Sequence, residues 1–311
     1  MIMPHEISGL IADCLYDSVR GHLGKIALVA PAGALDQDQV IETCNRLEQA
    51  GIEAVLTTHV LEHHRYMAGS IQARLDDLYE AYATADVTAV WCLRGGYGCA
   101  QLLPHIDWAR LSDVPLIGYS DITALLNSFY SHGLKGIHGP VACELARDFD
   151  NTEQQSQRFA SLRSISHVLT GQHGTSSCMH HVSGHSQVVK GPMIGGNLTT
   201  LASLAGTPYA LKIPENAILI LEDVGESYYR LERSLWQLFH SADMQRIGAV
   251  CLGTFKNCAN PGAHSLEAIF NEWLKPWNIP LYTGLPCGHG ADNHAWPYGQ
   301  AATLFEDTLS W

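Results

Sequence analysis

The stretch Pro115-Leu-Ile-Gly-Tyr-Ser120-Asp-Ile-Thr-Ala-Leu-Leu-Asn-Ser-Phe-Tyr130 decides the fold. Val114–Tyr119 reads as a short buried strand and Gly118–Ser120 as a tight turn, while Ile122, Leu125, Leu126, Phe129 and Tyr130 recur at helical spacing. The same grammar extends upstream. Ile26–Ala30 reads as a strand, Val40, Ile41, Cys44 and Leu47 as one helical face ending at Gly51, and Ala54–Thr57 as a second strand. Ser70 caps a further helix carrying Ile71, Leu75, Leu78, Tyr79 and Tyr82, and Ala89–Leu93 is another buried strand. Strands alternating with helices predict a parallel sheet covered on both faces, with ligands beyond the carboxyl ends of its strands.

Downstream the pattern lapses. Asp148 to Lys190 is rich in Asn, Gln, Ser, His and Thr, with a possible short helix near Phe159–Ile165. The expected organisation is therefore an N-terminal α/β domain over 1–150, a connection over 151–190, and a smaller domain over 191–311. In the last, Gly195-Gly196, Ala217–Leu221, Ile247–Leu252 and Pro280–Tyr282 are strand candidates and Leu231–Phe239 a helix, with a topology that the sequence does not disclose.

Composition narrows the function. The chain has 311 residues, 46% hydrophobic and 16% charged, enough to bury a sizeable core. Its 31 acidic against 18 basic side chains leave a formal charge of −13, which repels phosphate backbones and anionic lipid, so neither nucleic acid nor membrane is an expected partner. No run approaches a membrane span, and nine cysteines without a C-x-x-C pair read as reduced thiols in the cytoplasm. Lys25–Gly33 superficially resembles a signal peptide, but a first core strand explains it better.

Four features carry candidate chemistry. Ser120 lies at a strand-to-helix elbow, where a hydroxyl stands above the sheet and the first-turn amides point at any anion formed there. The pattern G-x-S-x-G nevertheless demands glycine where Ile122 stands, and on the elbow alone an ordinary N-cap is the favoured reading of Ser120. Leu93-Arg94-Gly95-Gly96-Tyr97-Gly98 follows a buried strand as an anion-cradling loop or a plain turn, and it fails the dinucleotide pattern at Gln101. Ala217–Leu221 runs into Glu222, Asp223 and Glu226; Asp223 and Glu226 read as surface partners of Arg230 and Arg233, and Glu222 as a group that orients a histidine. His289 lies between Gly288 and Gly290 in a loop. The tract His173, His180, His181 and His185 lacks metal-ligand spacing, so no metal or other cofactor is expected.

Taken together, the sequence resembles the LD-carboxypeptidase family of serine peptidases. The likeness is carried along nearly the whole chain by Ala30-Pro31, Arg65–Ser70 with Arg74, Ala89–Gly98, Gly118–Thr123, His138–Pro140, Gly195–Leu198, Leu221–Glu226 and Gly288–Gly290. It implies a Ser120–His289–Glu222 triad and an oxyanion hole from the Asp121 amide with an amide of Gly95 or Gly96. It also implies a β-rich C-terminal domain supplying the glutamate and histidine, and a homodimer. The activity implied is release of terminal D-alanine from murein tetrapeptide during cytoplasmic cell-wall recycling. Arg94, Asn197 and Arg230 are the expected contacts of that anionic substrate. Relatives that hydrolyse aminoacyl-nucleotide antibiotics supply the alternative reading, and a non-catalytic ligand-binding protein a further one. A glutaminase-like hydrolase is disfavoured because cysteine, not Ser120, would occupy the elbow.

Overall fold

The computed structural model describes residues 25–147, 151–185, 188–259, 262 and 264–311. The segment before the first strand, with Cys14, lies outside the described residues. The chain separates into two compact units: one runs to Gln172 and takes in His294–Trp296, the other comprises His173–Asn293 and Pro297–Trp311.

In the first unit β1 (Lys25–Val29), α1 (Gln37–Gln49), β2 (Ala54–Leu56), α2 (Ile71–Ala83), β3 (Val87–Cys92) and a single turn α3 (Cys99–Leu102) follow in order. After them come β4 (Leu116–Gly118), α4 (Thr123–Ser131), β5 (Gly136–His138) and α5 (Thr152–Leu169). The five strands pair in parallel in the order β5-β4-β3-β1-β2. Ile26, Leu28, Ala89 and Trp91 face a core closed by Val40 and Leu47 of α1 and by Phe159, Leu162 and Ile165 of α5. The Ser70 hydroxyl accepts the Ala73 N–H at 3.1 Å, so the expected cap of α2 forms. Gly136–His138 forms a short strand, and one local expectation changes: α5 runs for 18 residues where only a short helix was legible.

The second unit contains β6 (Thr175–Ser176), β7 (His180–Ser183), β8 (Val189–Asn197), α6 (Leu198–Ser203), β9 (Ala217–Val224) and α7 (Tyr228–Ser241). β10 (Ile247–Lys256), α8 (Leu266–Leu274), β11 (Leu281–Thr283), β13 (Ala301–Phe305) and β14 (Thr308–Ser310) complete it, while β12 (Trp296–Tyr298) takes the edge of the first sheet beside β5. Its eight-stranded mixed sheet has the order β6-β14-β13-β8-β9-β10-β11-β7, in which β8, β9, β10 and β11 are mutually parallel. Both faces of those strands are covered, which is why β9 opens on an unbroken apolar run, Ala217–Leu221. Gly195 is required in β8, because a Cβ there would fall 1.9 Å from the Ile220 carbonyl oxygen. The resulting architecture is two α/β domains, the first on a parallel sheet with an added edge strand and the second on a larger mixed sheet.

Candidate active site

The elbow after β4 is built from crowding. Gly118 leaves room for Ile122, since a Cβ at 118 would lie 3.0 Å from both Ile122 Cγ atoms. Gly118 is the first glycine of the G-x-S-x-G pattern, and its missing side chain is what lets Ile122 stand where the pattern has its second. Tyr119 is extended, at φ −151°, and Ser120 then turns to φ +65° before the 3-10 turn Ser120–Ile122 leads into α4. An N-cap residue has extended backbone. Ser120 has left-handed backbone, so the N-cap reading fails and Tyr119 takes the cap position instead. A non-glycine residue held in this region stores roughly 1–3 kcal/mol of strain, which persists only where the surroundings fix it. Here the Tyr119 hydroxyl donates to Glu144 Oε1 at 2.7 Å, and the other Glu144 oxygen pairs with Arg158 of α5. The N–H of Asp121 lies in the first turn and has no partner within the helix.

The glycine loop meets this elbow. A Cβ on Gly95 would stand 2.8 Å from Ser120 Cβ and 3.0 Å from its Oγ, so only glycine allows the approach. The Gly33 N–H donates to the Gly95 carbonyl at 3.1 Å; because C=O and N–H of a trans peptide point in opposite directions, the Gly96 N–H is turned away from Gly33. Arg74, 1% exposed, donates from Nη1 to the carbonyls of Pro31 at 2.8 Å and Gly98 at 3.0 Å. The sequence carried a signal for this role: an arginine at an apolar position of an amphipathic helix must have buried acceptors.

In the second unit the carboxyl ends of β9 and β10 hold the other candidates. Glu222 is fully buried, and its Oε2 lies 2.7 Å from His289 Nδ1. The loop carrying His289 is pinned: the Thr254 N–H donates to the Cys287 carbonyl at 2.7 Å, and the Gly288 N–H to Asn293 Oδ1 at 2.9 Å. Gly288 has φ +112°, and a Cβ there would meet Glu222 Oε2 at 2.7 Å, so this glycine is what allows imidazole and carboxylate to close. A buried carboxylate on Nδ1 fixes the tautomer that leaves Nε2 as the acceptor of a proton and stabilises the imidazolium that results. Asn293 and Thr254 were not singled out from the sequence, and neither belongs to a motif that marks it.

The remaining candidates have identifiable partners. Arg94 is exposed and donates to the Ala34 carbonyl at 2.7 Å. Arg230 is exposed beside the Tyr229 hydroxyl and pairs with Glu226 at 3.6 Å, as read from the sequence. Asp223 departs from that reading: it is 2% exposed and accepts from Asn197 Nδ2, the Thr199 N–H and hydroxyl, and the Val224 N–H. Asn197, expected at the substrate, caps α6 through its Oδ1 while its Nδ2 holds Asp223. His138 is fully buried, stacked on Trp296 at 4.9 Å and edge-on to Tyr119 at 6.0 Å. Among the described residues no three His, Cys, Asp or Glu side chains converge as metal ligands, eight cysteines are free thiols, and no helix is long and apolar enough to cross a membrane.

Comparison with known proteins follows the same division. Residues 26–139 match the N-terminal domain of LD-carboxypeptidases and residues 190–304 the C-terminal domain. This chain belongs to the LD-carboxypeptidase family of serine peptidases, as its motifs suggested. The murein tetrapeptide carboxypeptidase of Pseudomonas aeruginosa is 51% identical over 294 residues, 93% of this chain and 95% of that protein. The crystal structure of muramoyltetrapeptide carboxypeptidase from Oxalobacter formigenes superposes with a TM-score of 0.81 at 28% identity, covering 92% of this chain and 97% of that one. The microcin C7 self-immunity protein has a TM-score of 0.80 over 93% of this chain and 96% of its own, and at 21% identity it shares the fold alone.

Proposed function

We propose that the protein is a murein tetrapeptide carboxypeptidase that cleaves the LD-peptide bond before the terminal D-alanine, with Ser120 as nucleophile, His289 as base and Glu222 as its orienting carboxylate. The observation that carries the reading is the 2.7 Å contact of His289 Nδ1 with the buried Glu222, an arrangement suited to a base. His289 Nε2 takes the Ser120 proton as Oγ attacks the peptide carbonyl. The oxyanion is received by the Asp121 N–H and a glycine-loop N–H; loss of one such donor typically costs about 10²–10³ in rate. On collapse the C–N bond breaks, His289 returns the proton to the leaving amine of D-alanine, and an acyl-serine remains. Water, deprotonated by His289, then releases the shortened peptide. The site of action we propose is the cytoplasm, on peptides recovered from the cell wall, and the working form a homodimer. The net charge of −13 argues against a nucleic-acid partner and requires local cations for an anionic peptide, for which Arg94 and Arg230 are the candidates.

The test is purified protein with murein tetrapeptide, followed by mass spectrometry. Loss of one alanine residue is the expected product. An intact tetrapeptide, with hydrolysis of an aminoacyl sulfamoyl nucleoside instead, would move the enzyme to the antibiotic-degrading reading.

A further inference from the structure

Asp121 contributes its amide to the elbow, but its side chain does something separate. It is 8% exposed, and its Oδ2 accepts the N–H of Cys99 at 2.9 Å. Cys99 opens α3 immediately after Gly98, so this bond ties the far end of the glycine loop to the residue next to Ser120. The near end of the loop already touches the elbow, where Gly95 meets Ser120. Arg74 grips the same loop from its other side through the Gly98 carbonyl. A Cβ on Gly98 would lie 2.6 Å from Arg74 Nη1, which leaves no slack between them.

We propose that the Asp121 carboxylate is a positioning group that locks the two halves of the oxyanion hole, the elbow amide and the glycine-loop amide, into one fixed geometry. The proposal rests on the reading of Ser120 as nucleophile. Donors aimed at developing charge work only if they are held in place before the charge forms, and a displacement of about 1 Å is enough to cost about 100-fold in rate. The two amides stand on different elements, the turn after β4 and the loop after β3, so their separation depends on a link between those elements. Asp121 supplies that link from within the elbow. Burial pushes its carboxyl above the ordinary range, against the opposing pull of the Cys99 N–H and thiol, the Arg74 charge and the Gly98 N–H. A carboxylate kept at that cost among loop donors holds them where an apolar residue would let them relax.

The experiment compares Asp121→Ala and Asp121→Asn with wild type. Both substitutions leave the backbone amide of residue 121 in place, so any catalytic loss comes through position. Asparagine matches the aspartate in shape and keeps one acceptor oxygen, which keeps the comparison readable if alanine disturbs folding. Three quantities are measured: kcat and KM for D-alanine release, inhibition by a peptide boronate whose boron takes on the Ser120 oxygen to become tetrahedral, and affinity for the product tripeptide. Expected are a fall in kcat of about 100-fold for Asp121→Ala and about 10-fold for Asp121→Asn, with KM within about threefold. Boronate inhibition should weaken in the same proportion while tripeptide affinity holds. A kcat within threefold of wild type in both variants overturns the proposal, as does an equal loss of boronate and tripeptide binding. Ser120→Ala run in parallel separates the two ideas: full activity there removes the serine reading itself, whatever Asp121 does.

Discussion

On the proposed mechanism Ser120 is the residue on which the chemistry turns, and its backbone argues for it more clearly than its motif. Positive φ at a serine that is not the N-cap of its helix lifts the hydroxyl off the strand end. Ser120→Ala should therefore abolish D-alanine release by a factor of thousands while shifting the thermal midpoint by no more than a degree or two; retention of a tenth of the activity would reduce Ser120 to a structural residue. The histidines give a second residue-scale prediction. His138 is sealed between Trp296 and Tyr119, whereas His289 has the carboxylate of Glu222 on Nδ1. His289→Ala should lose activity as Ser120→Ala does and keep its circular dichroism, and His138→Ala should chiefly lower stability. The opposite pattern would make His138 the base. At this scale the sequence disclosed which residue types to examine but not their backbone: φ +65° is no more written into a serine than an extended cap is, and Ile122 in place of the pattern's second glycine obscured the elbow.

At the level of elements, legibility followed periodicity. α1 and α2 keep recurring apolar positions under a sheet beside the buried Thr43, Arg74 and Asp77 and were read directly, whereas in α5 the buried Gln155, Ser161 and Ser166 alternate with Phe159, Leu162 and Ile165. Ser161 returns its hydroxyl to the Gln157 carbonyl at 2.9 Å, so polar residues sit inside without breaking the helix, and the sequence pattern is blurred. β5, three residues long, was too brief to register. Another buried polar group gives a testable pH effect. Asp77 of α2 is 2% exposed and accepts the His59 N–H at 2.8 Å. Burial pushes its carboxyl above the ordinary range, with the His59 N–H, the Thr57 hydroxyl and the His59 charge pulling the other way. The folded chain thus keeps this proton at pH values where the unfolded chain has released it. The stability this group contributes is complete below the ordinary carboxylate range and is lost as pH rises through the raised value. Asp77→Asn removes the titration, so the thermal midpoint of wild type minus variant should be larger at about pH 4 than at about pH 7. A difference that grows with pH would contradict the assignment.

Across the whole molecule, the second sheet was illegible for a topological reason. β8 lies between β9, its near neighbour in sequence, and β13, whose Ala301 pairs with Pro192 across more than a hundred residues. No local pattern encodes such a pairing. What the chain did disclose was the order of its motifs, and the division into two domains followed. The proposed serine relay, with its own base and carboxylate, needs no metal, so turnover should be unaffected by EDTA. Inactivation by chelator with recovery on added zinc would displace the triad as the mechanism. The return of His294–Trp296 to the first unit has a consequence for biosynthesis. Trp296 stacks on His138, Ala295 donates its N–H to the Ser164 hydroxyl at 2.6 Å, and Gly139 is a glycine because a side chain there would strike Ala295 Cβ at 2.8 Å. These contacts fill the core of a unit whose other residues are translated first, yet they come from residues that follow Asn293. The N-terminal unit must therefore wait, incomplete, while His173–Asn293 of the second unit emerge from the ribosome, and a nascent chain stalled anywhere before residue 296 carries the serine elbow on a scaffold that has not yet been closed.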